Sequence, residues 1–106
     1  KSNKLGMRLN GNDNSGYFTL YQNFPNPLSS GTTIRYNLQN ETDVILTIYN
    51  LSGQKVHTLV NQKQTAGQHT VFWDGKNNLG SRVDAGVYIY TLRTASGIVS
   101  KSLTIL

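Results

Sequence analysis

From Tyr17 onward, clusters of turn-forming residues interrupt short runs in which apolar and polar side chains alternate, and no run is long enough to hold a helical period. That spacing constrains the fold more than any other feature. Strict alternation puts every second side chain on one face of an extended chain, so each run can bury one face and no more. The clearest run is Thr32 to Leu38, with Ile34, Tyr36 and Leu38 on one face and Thr33, Arg35 and Asn37 on the other. Tyr17 to Gln22, Asp43 to Asn50, Lys55 to Val60, Gln68 to Trp73, Gly86 to Thr94 and Ile98 to Leu106 read as six further strands. Asn61 to Gly67 reads as a polar loop, and Ala95-Ser96-Gly97 as a short hairpin. Turn signals at intervals of about 8–12 residues predict an antiparallel sandwich or barrel. The expectation is all-β: a seven-strand immunoglobulin-like antiparallel β-sandwich.

With no cysteine in the chain, no disulfide can hold two sheets together, so side-chain packing must. Val71 to Tyr90 supplies the bulk: Trp73, the single tryptophan, on one strand and Tyr88 and Tyr90 on the next. Aromatic rings bury the most area per residue, and a small core should be built around them. Two prolines, Pro25 and Pro27, follow the first strand. Neither can donate to a ladder, and each biases its predecessor to an extended form, so the segment should follow a sheet edge or cross between sheets.

Residues 1–16 are polar and glycine-rich without a sustained period and read as a flexible linker. Residues 17–106 then form one domain, large enough to bury a core. The chain does not begin with Met, and an excerpt or a processed product is expected. The net charge is +5, but three of the ten cations (Lys1, Lys4 and Arg8) lie in the linker and the rest are scattered. Nucleic-acid binding needs clustered Lys and Arg and is not expected. No apolar run approaches the ~18 residues of a membrane helix, so membrane insertion is not expected either.

Residues able to do chemistry are few. His57 and His69 lack metal-ligand spacing. Glu41, Asp43, Asp74 and Asp84 are the only carboxylates after the linker; Glu41 and Asp43 flank a turn and should face water. No nucleophile elbow or phosphate-cradling loop is present. Asp74, Asn77, Asn78 and Asp84 offer oxygen donors for calcium, but the same residues cap their own turns through side-chain hydrogen bonds, and the second reading is preferred. The expectation is a non-enzymatic domain without a cofactor or metal.

Three stretches carry a resemblance: Leu20-Tyr21-Gln22-Asn23-Phe24-Pro25-Asn26-Pro27, Thr32-Thr33-Ile34-Arg35-Tyr36, and Ile48-Tyr49-Asn50-Leu51-Ser52-Gly53-Gln54-Lys55-Val56. Trp73-Asp74-Gly75, Ala85-Gly86-Val87-Tyr88-Ile89-Tyr90 and the basic-then-aliphatic end Lys101 to Leu106 fit the same pattern. Together they resemble the type IX secretion C-terminal sorting domain, which is similar to the immunoglobulin-like domain of flagellar hook-capping proteins. The match spans about residues 18–106. Two departures stand out: Pro27-Leu28-Ser29-Ser30 replaces a second Pro-Phe-Asn-Pro motif, and the chain ends Thr104-Ile105-Leu106 rather than on a lysine.

The resemblance implies a secretion signal that directs a cargo from the periplasm across the outer membrane of a Bacteroidota-type Gram-negative bacterium. The implied partners are an outer-membrane translocon and a sortase-like peptidase, with the cargo ending secreted or attached at the cell surface. It implies cleavage in the linker, around Asn14, Ser15 and Gly16. It carries over Pro25, Pro27, Gly86, Tyr88, Lys101, Leu103, Ile105 and Leu106 as recognition motifs, each of which also has a purely structural reading. The last strand is the one expected to be recognised, because the chain stops there and an edge strand can accept an added strand. Two alternatives remain open: a structural module of a surface fibre or hook cap, which would self-associate, and a carbohydrate-binding module using Tyr49, Tyr21 or Phe72.

Overall fold

The computed structural model describes residues 17–106; the linker and the expected cleavage region Asn14, Ser15 and Gly16 lie outside the described residues. Seven strands follow in order: β1 (Phe18–Leu20), β2 (Thr32–Leu38), β3 (Thr42–Asn50), β4 (Lys55–Gln64), β5 (Gly67–Trp73), β6 (Gly86–Thr94) and β7 (Gly97–Ile105). They form a three-stranded sheet ordered β1-β2-β5 and a four-stranded sheet ordered β4-β3-β6-β7. All strand pairings are antiparallel. This is the expected immunoglobulin-like sandwich.

Alternation places the core as read from the sequence. Ile34, Tyr36 and Leu38 of one sheet and Val44, Leu46 and Ile48 of the other are fully buried between the layers. Trp73, Tyr90, Leu92 and Leu103 join them. Tyr88 meets Trp73 edge to face, with ring centroids 6.2 Å apart, a geometry that suits the ring quadrupoles. Fully burying side chains of this size contributes roughly 1.5–3 kcal/mol each.

Two strand boundaries and the placement of one ring differ from expectation. β4 runs to Gln64, so most of the expected polar loop at 61–67 is strand. Its hydrophilic side chains hid it, because β4 is the outer strand of its sheet and its ladder to β3 is made by backbone, from Thr42 opposite Gln64 to Tyr49 opposite Lys55. β1 is only three residues long and ends at Leu20. Tyr49, grouped with Tyr21 and Phe72 as an exposed ring, is half-buried and sits on β3 of the four-stranded sheet, whereas Phe72 lies on β5 and Tyr21 just past β1 of the three-stranded one.

Candidate functional site

The residues that the resemblance picked out are far apart in sequence, and all but the cleavage region meet around one strand, β7. β7 is the outer strand of its sheet. On its inner side Gly86 lies opposite Ile105, Tyr88 opposite Leu103 and Tyr90 opposite Lys101. Leu103 and Ile105 are buried, Lys101 is half-buried, and Leu106 is exposed. Lys101 shares the inward phase of Val99, Leu103 and Ile105; an inward-facing charge on an edge strand is a known brake on indiscriminate edge pairing.

On the outer side of β7 lies the proline segment. It leaves the three-stranded sheet at Phe24, which bridges to Thr33, and reaches the four-stranded sheet at Leu28, which bridges in parallel to Ile105. The chain therefore crosses between layers here, one of the two expected courses. The Leu28 amide donates to the Thr104 carbonyl (2.8 Å), and the Leu106 amide donates to the Leu28 carbonyl (2.9 Å). The Thr104 amide donates to Asn26 Oδ1 (3.0 Å), and Gln22 Nε2 donates to the Ser102 carbonyl (2.8 Å). Pro25 and Pro27 are exposed, and both follow cis peptide bonds.

A buried polar cluster, missed at the sequence level, holds the crossing in place. The Asn23 amide donates to the Tyr90 hydroxyl (2.9 Å), which donates to the Tyr21 carbonyl (2.8 Å). Asn23 Nδ2 donates to Thr32 Oγ1 (3.0 Å) and to the Pro25 carbonyl (3.2 Å). Thr32 Oγ1 donates to that same carbonyl (2.9 Å). Asn23 and Thr32 are both buried, and a buried polar group without partners would cost several kcal/mol. The signal was present as an asparagine just before a Pro-x-Pro segment that must turn between layers, but no local pattern names Thr32 and Tyr90 as its partners.

Gly86 enters β6 with φ of +142°, a conformation L side chains rarely adopt, although open space surrounds the position of a Cβ. Its requirement is conformational rather than steric. Two residues on, the Tyr88 hydroxyl donates to the Asp84 carbonyl (2.7 Å) and so ties the preceding loop to the core. Burial pushes the Tyr88 hydroxyl above its ordinary pKa, and the charge of Asp84 adds to the rise.

The loop at 74–86 is self-capped. Asp74 Oδ1 accepts from the Lys76 amide (3.1 Å). Asn77 Oδ1 accepts from the amides of Leu79 (2.9 Å) and Ser81 (3.0 Å). Asp74 and Asn77 are thus engaged by the loop's own backbone, as the turn reading expects, whereas Asn78 Oδ1 accepts from the Thr58 amide of β4 (3.4 Å). The Lys76 carbonyl accepts from Trp73 Nε1 (2.8 Å) and from His57 Nδ1 (2.7 Å). His69 Nε2 donates to the Thr65 carbonyl (2.8 Å). Both histidines are held by backbone oxygens at strand rims. An open cleft of about 420 Å³ beside Tyr88 is lined by Asn50, Lys55, Arg82 and Asp84 among others. Its polar walls are partly committed: Asn50 Oδ1 caps Ser52 and Gln54, and Arg82 reaches the Ser29 carbonyl at 2.5 Å. Among the described residues no group of three or more His, Cys, Asp or Glu could hold a metal ion.

Comparison with known proteins follows the same architecture. Dimeric latent PorU of Porphyromonas gingivalis aligns over 84% of this chain with a TM-score of 0.66 and 20% identity. FlgD of P. aeruginosa aligns over 70% with a TM-score of 0.58 and 24% identity. PorZ of P. gingivalis aligns over 82% with a TM-score of 0.58 and 21% identity. The chain spans 9% of the PorU chain, 61% of the FlgD chain and 11% of the PorZ chain. No curated protein matches. Residues 26–97 match the FlgD Ig-like domain. From the strand order, the packed core and that match over most of its length, the chain belongs to the FlgD Ig-like domain family.

Proposed function

We propose that this domain is a non-catalytic sorting module that directs a cargo through type IX secretion, and that it is read along the outer edge of β7. The observation that carries this reading is the convergence described above. Of the motifs chosen only by resemblance, Lys101 to Leu106 ends β7 itself, while Gly86-x-Tyr88 pairs with it on one side and the Pro25-x-Pro27 segment runs along the other. The likeness to PorZ, an essential surface component of the type-IX secretion system of P. gingivalis, supports the same reading at the level of fold.

The edge has the geometry that strand addition needs. Ser102, Thr104 and Leu106 turn backbone groups away from β6. Positions two apart along a strand point the same way, so Ser100 and Ile98 do too. The proline segment covers the far end of this edge, Gln22 occupies the Ser102 carbonyl, and the outward backbone groups of Ile98 and Ser100 are the ones a partner strand would pair with. In this reading the partners are an outer-membrane translocon and a sortase-like peptidase, the cargo is released at the cell surface, and cleavage falls near Asn14, Ser15 and Gly16.

The test is to fuse the chain to a passenger in a host carrying the secretion machinery and to fractionate the cells. Passenger in the medium or on the surface is the expected result. Passenger retained in the periplasm, with the domain folded, contradicts the proposal.

A further inference from the structure

We propose that the outer face of the three-stranded sheet is a binding platform for acidic polysaccharide. The two outer faces of the sandwich differ in kind. On β3, β6 and β7 the outward residues include the aliphatic side chains of Ile45, Val87, Ile89 and Ile98. On the face of β1, β2 and β5 the outward apolar residues are aromatic: Phe72 (63% exposed) on β5, and Tyr17 (56%) and Tyr21 (38%) at the two ends of β1, with Phe24 (78%) beside them. Every other outward strand position there is threonine, asparagine or glutamine, apart from Arg35.

The rings are arranged rather than scattered. Phe24 and Phe72 both pair with Thr33, from opposite sides of β2. Adjacent strands lie about 4.8 Å apart, so the two phenylalanines stand on backbones about 10 Å apart, a span suited to two sugar rings. Phe72 lies down on the sheet: a Cβ at Gly31 would overlap its Cζ and come within 2.9 Å of its Cε1. Gly31 thus lets the ring lie against backbone and present its other side outward. One row further along the sheet, the Arg35 guanidinium sits 5.1 Å from the centroid of the Tyr21 ring, which holds its charge in place over the face.

That chemistry selects its occupant. Flat rings separated by hydroxyl and amide side chains suit the apolar faces and hydroxyl rims of pyranoses. No carboxylate stands on these strand positions, and the one charge is a cation, so sugars bearing carboxylates are favoured over neutral ones. The inference does not depend on the sorting role.

The test is calorimetric titration of the intact chain with polygalacturonate and alginate, against xylan and dextran as neutral polymers. The expected result is binding to at least one acidic polymer, weakened about tenfold by Phe72→Ala or Phe24→Ala, retained in Phe24→Tyr, and stripped of its preference for acid by Arg35→Gln. Trp73 fluorescence and the thermal midpoint report that each variant is folded. Lys63→Gln, on β4 in the other sheet, should leave binding unchanged. Absence of binding to both acidic polymers overturns the proposal, as does binding to the neutral polymers alone. An equal loss in Lys63→Gln overturns it as well, because attraction would then be to net charge alone.

Discussion

The Leu106 amide donates to the Leu28 carbonyl at 2.9 Å, so the last described residue is held by a segment that entered the fold 78 positions earlier. With the matching bond from the Leu28 amide to the Thr104 carbonyl, this closes the end of β7 without another strand. The same contact explains why removing Lys101 to Leu106 is a blunt experiment. It would take Leu103 and Ile105 out of the core and unfold the domain along with any signal it carries.

The crossing should depend on Asn23. Asn23→Ala removes the donors to Thr32 Oγ1 and the Pro25 carbonyl, leaving that buried cluster short of partners. The expected loss is about 1–3 kcal/mol of stability, read by urea unfolding monitored at Trp73. An unchanged midpoint would show that water replaces the side chain at no cost.

Gly86 and Tyr88 should separate into two kinds of effect. Gly86→Ala forces a side chain into a φ of +142° and should cost about 1–3 kcal/mol. Tyr88→Phe keeps the edge-to-face contact with Trp73 and loses only the hydrogen bond to Asp84, for about 0.5–1.5 kcal/mol. Thermal denaturation of both variants checks the order; a larger loss in Tyr88→Phe would contradict it.

Alkaline pH should weaken the fold through Tyr36. Its hydroxyl donates to Gln64 Oε1. Burial pushes its pKa up from 10.0 to about 12, the bond to Gln64 opposing the rise. Above pH 10 the unfolded chain loses this proton while the folded chain keeps it until about pH 12. The stabilisation is therefore fully present below pH 10 and is lost as pH rises through the folded value. In Tyr36→Phe this part of the slope should vanish. Urea midpoints collected from pH 8 to 11.5 test it, and identical slopes in the two proteins would contradict it.

What the sequence made legible follows from what was local. Period-two alternation named Ile34, Tyr36, Leu38, Val44, Leu46 and Ile48 as core because each strand's burial is written in its own residues. The turn at Asp74 to Ser81 was readable for the same reason, since Asn77 and Asp74 bond within it. β4 was underestimated because Asn61, Gln62 and Lys63 carry no burial pattern; their place in a strand comes from β3 alongside. The buried cluster of Asn23, Thr32 and Tyr90 was hidden because its members lie 9 and 67 positions apart. Of the candidate site, the members were readable by resemblance, but their meeting around β7 needed the strand order.

The measurement that bears most directly on the central claim uses Ser100→Pro. Ser100 is exposed and, by the parity of Ser102 and Thr104, turns its amide to the outer side of β7, away from the ladder with β6. Proline there removes a donor that strand addition would use, and an edge strand tolerates it where a central strand would not. A passenger fused to the Ser100→Pro chain should remain in the periplasm although the domain keeps its near-ultraviolet circular dichroism and a cooperative melt. Export of that folded variant at the level of the parent chain would contradict the reading of β7 as the edge that the secretion machinery recognises.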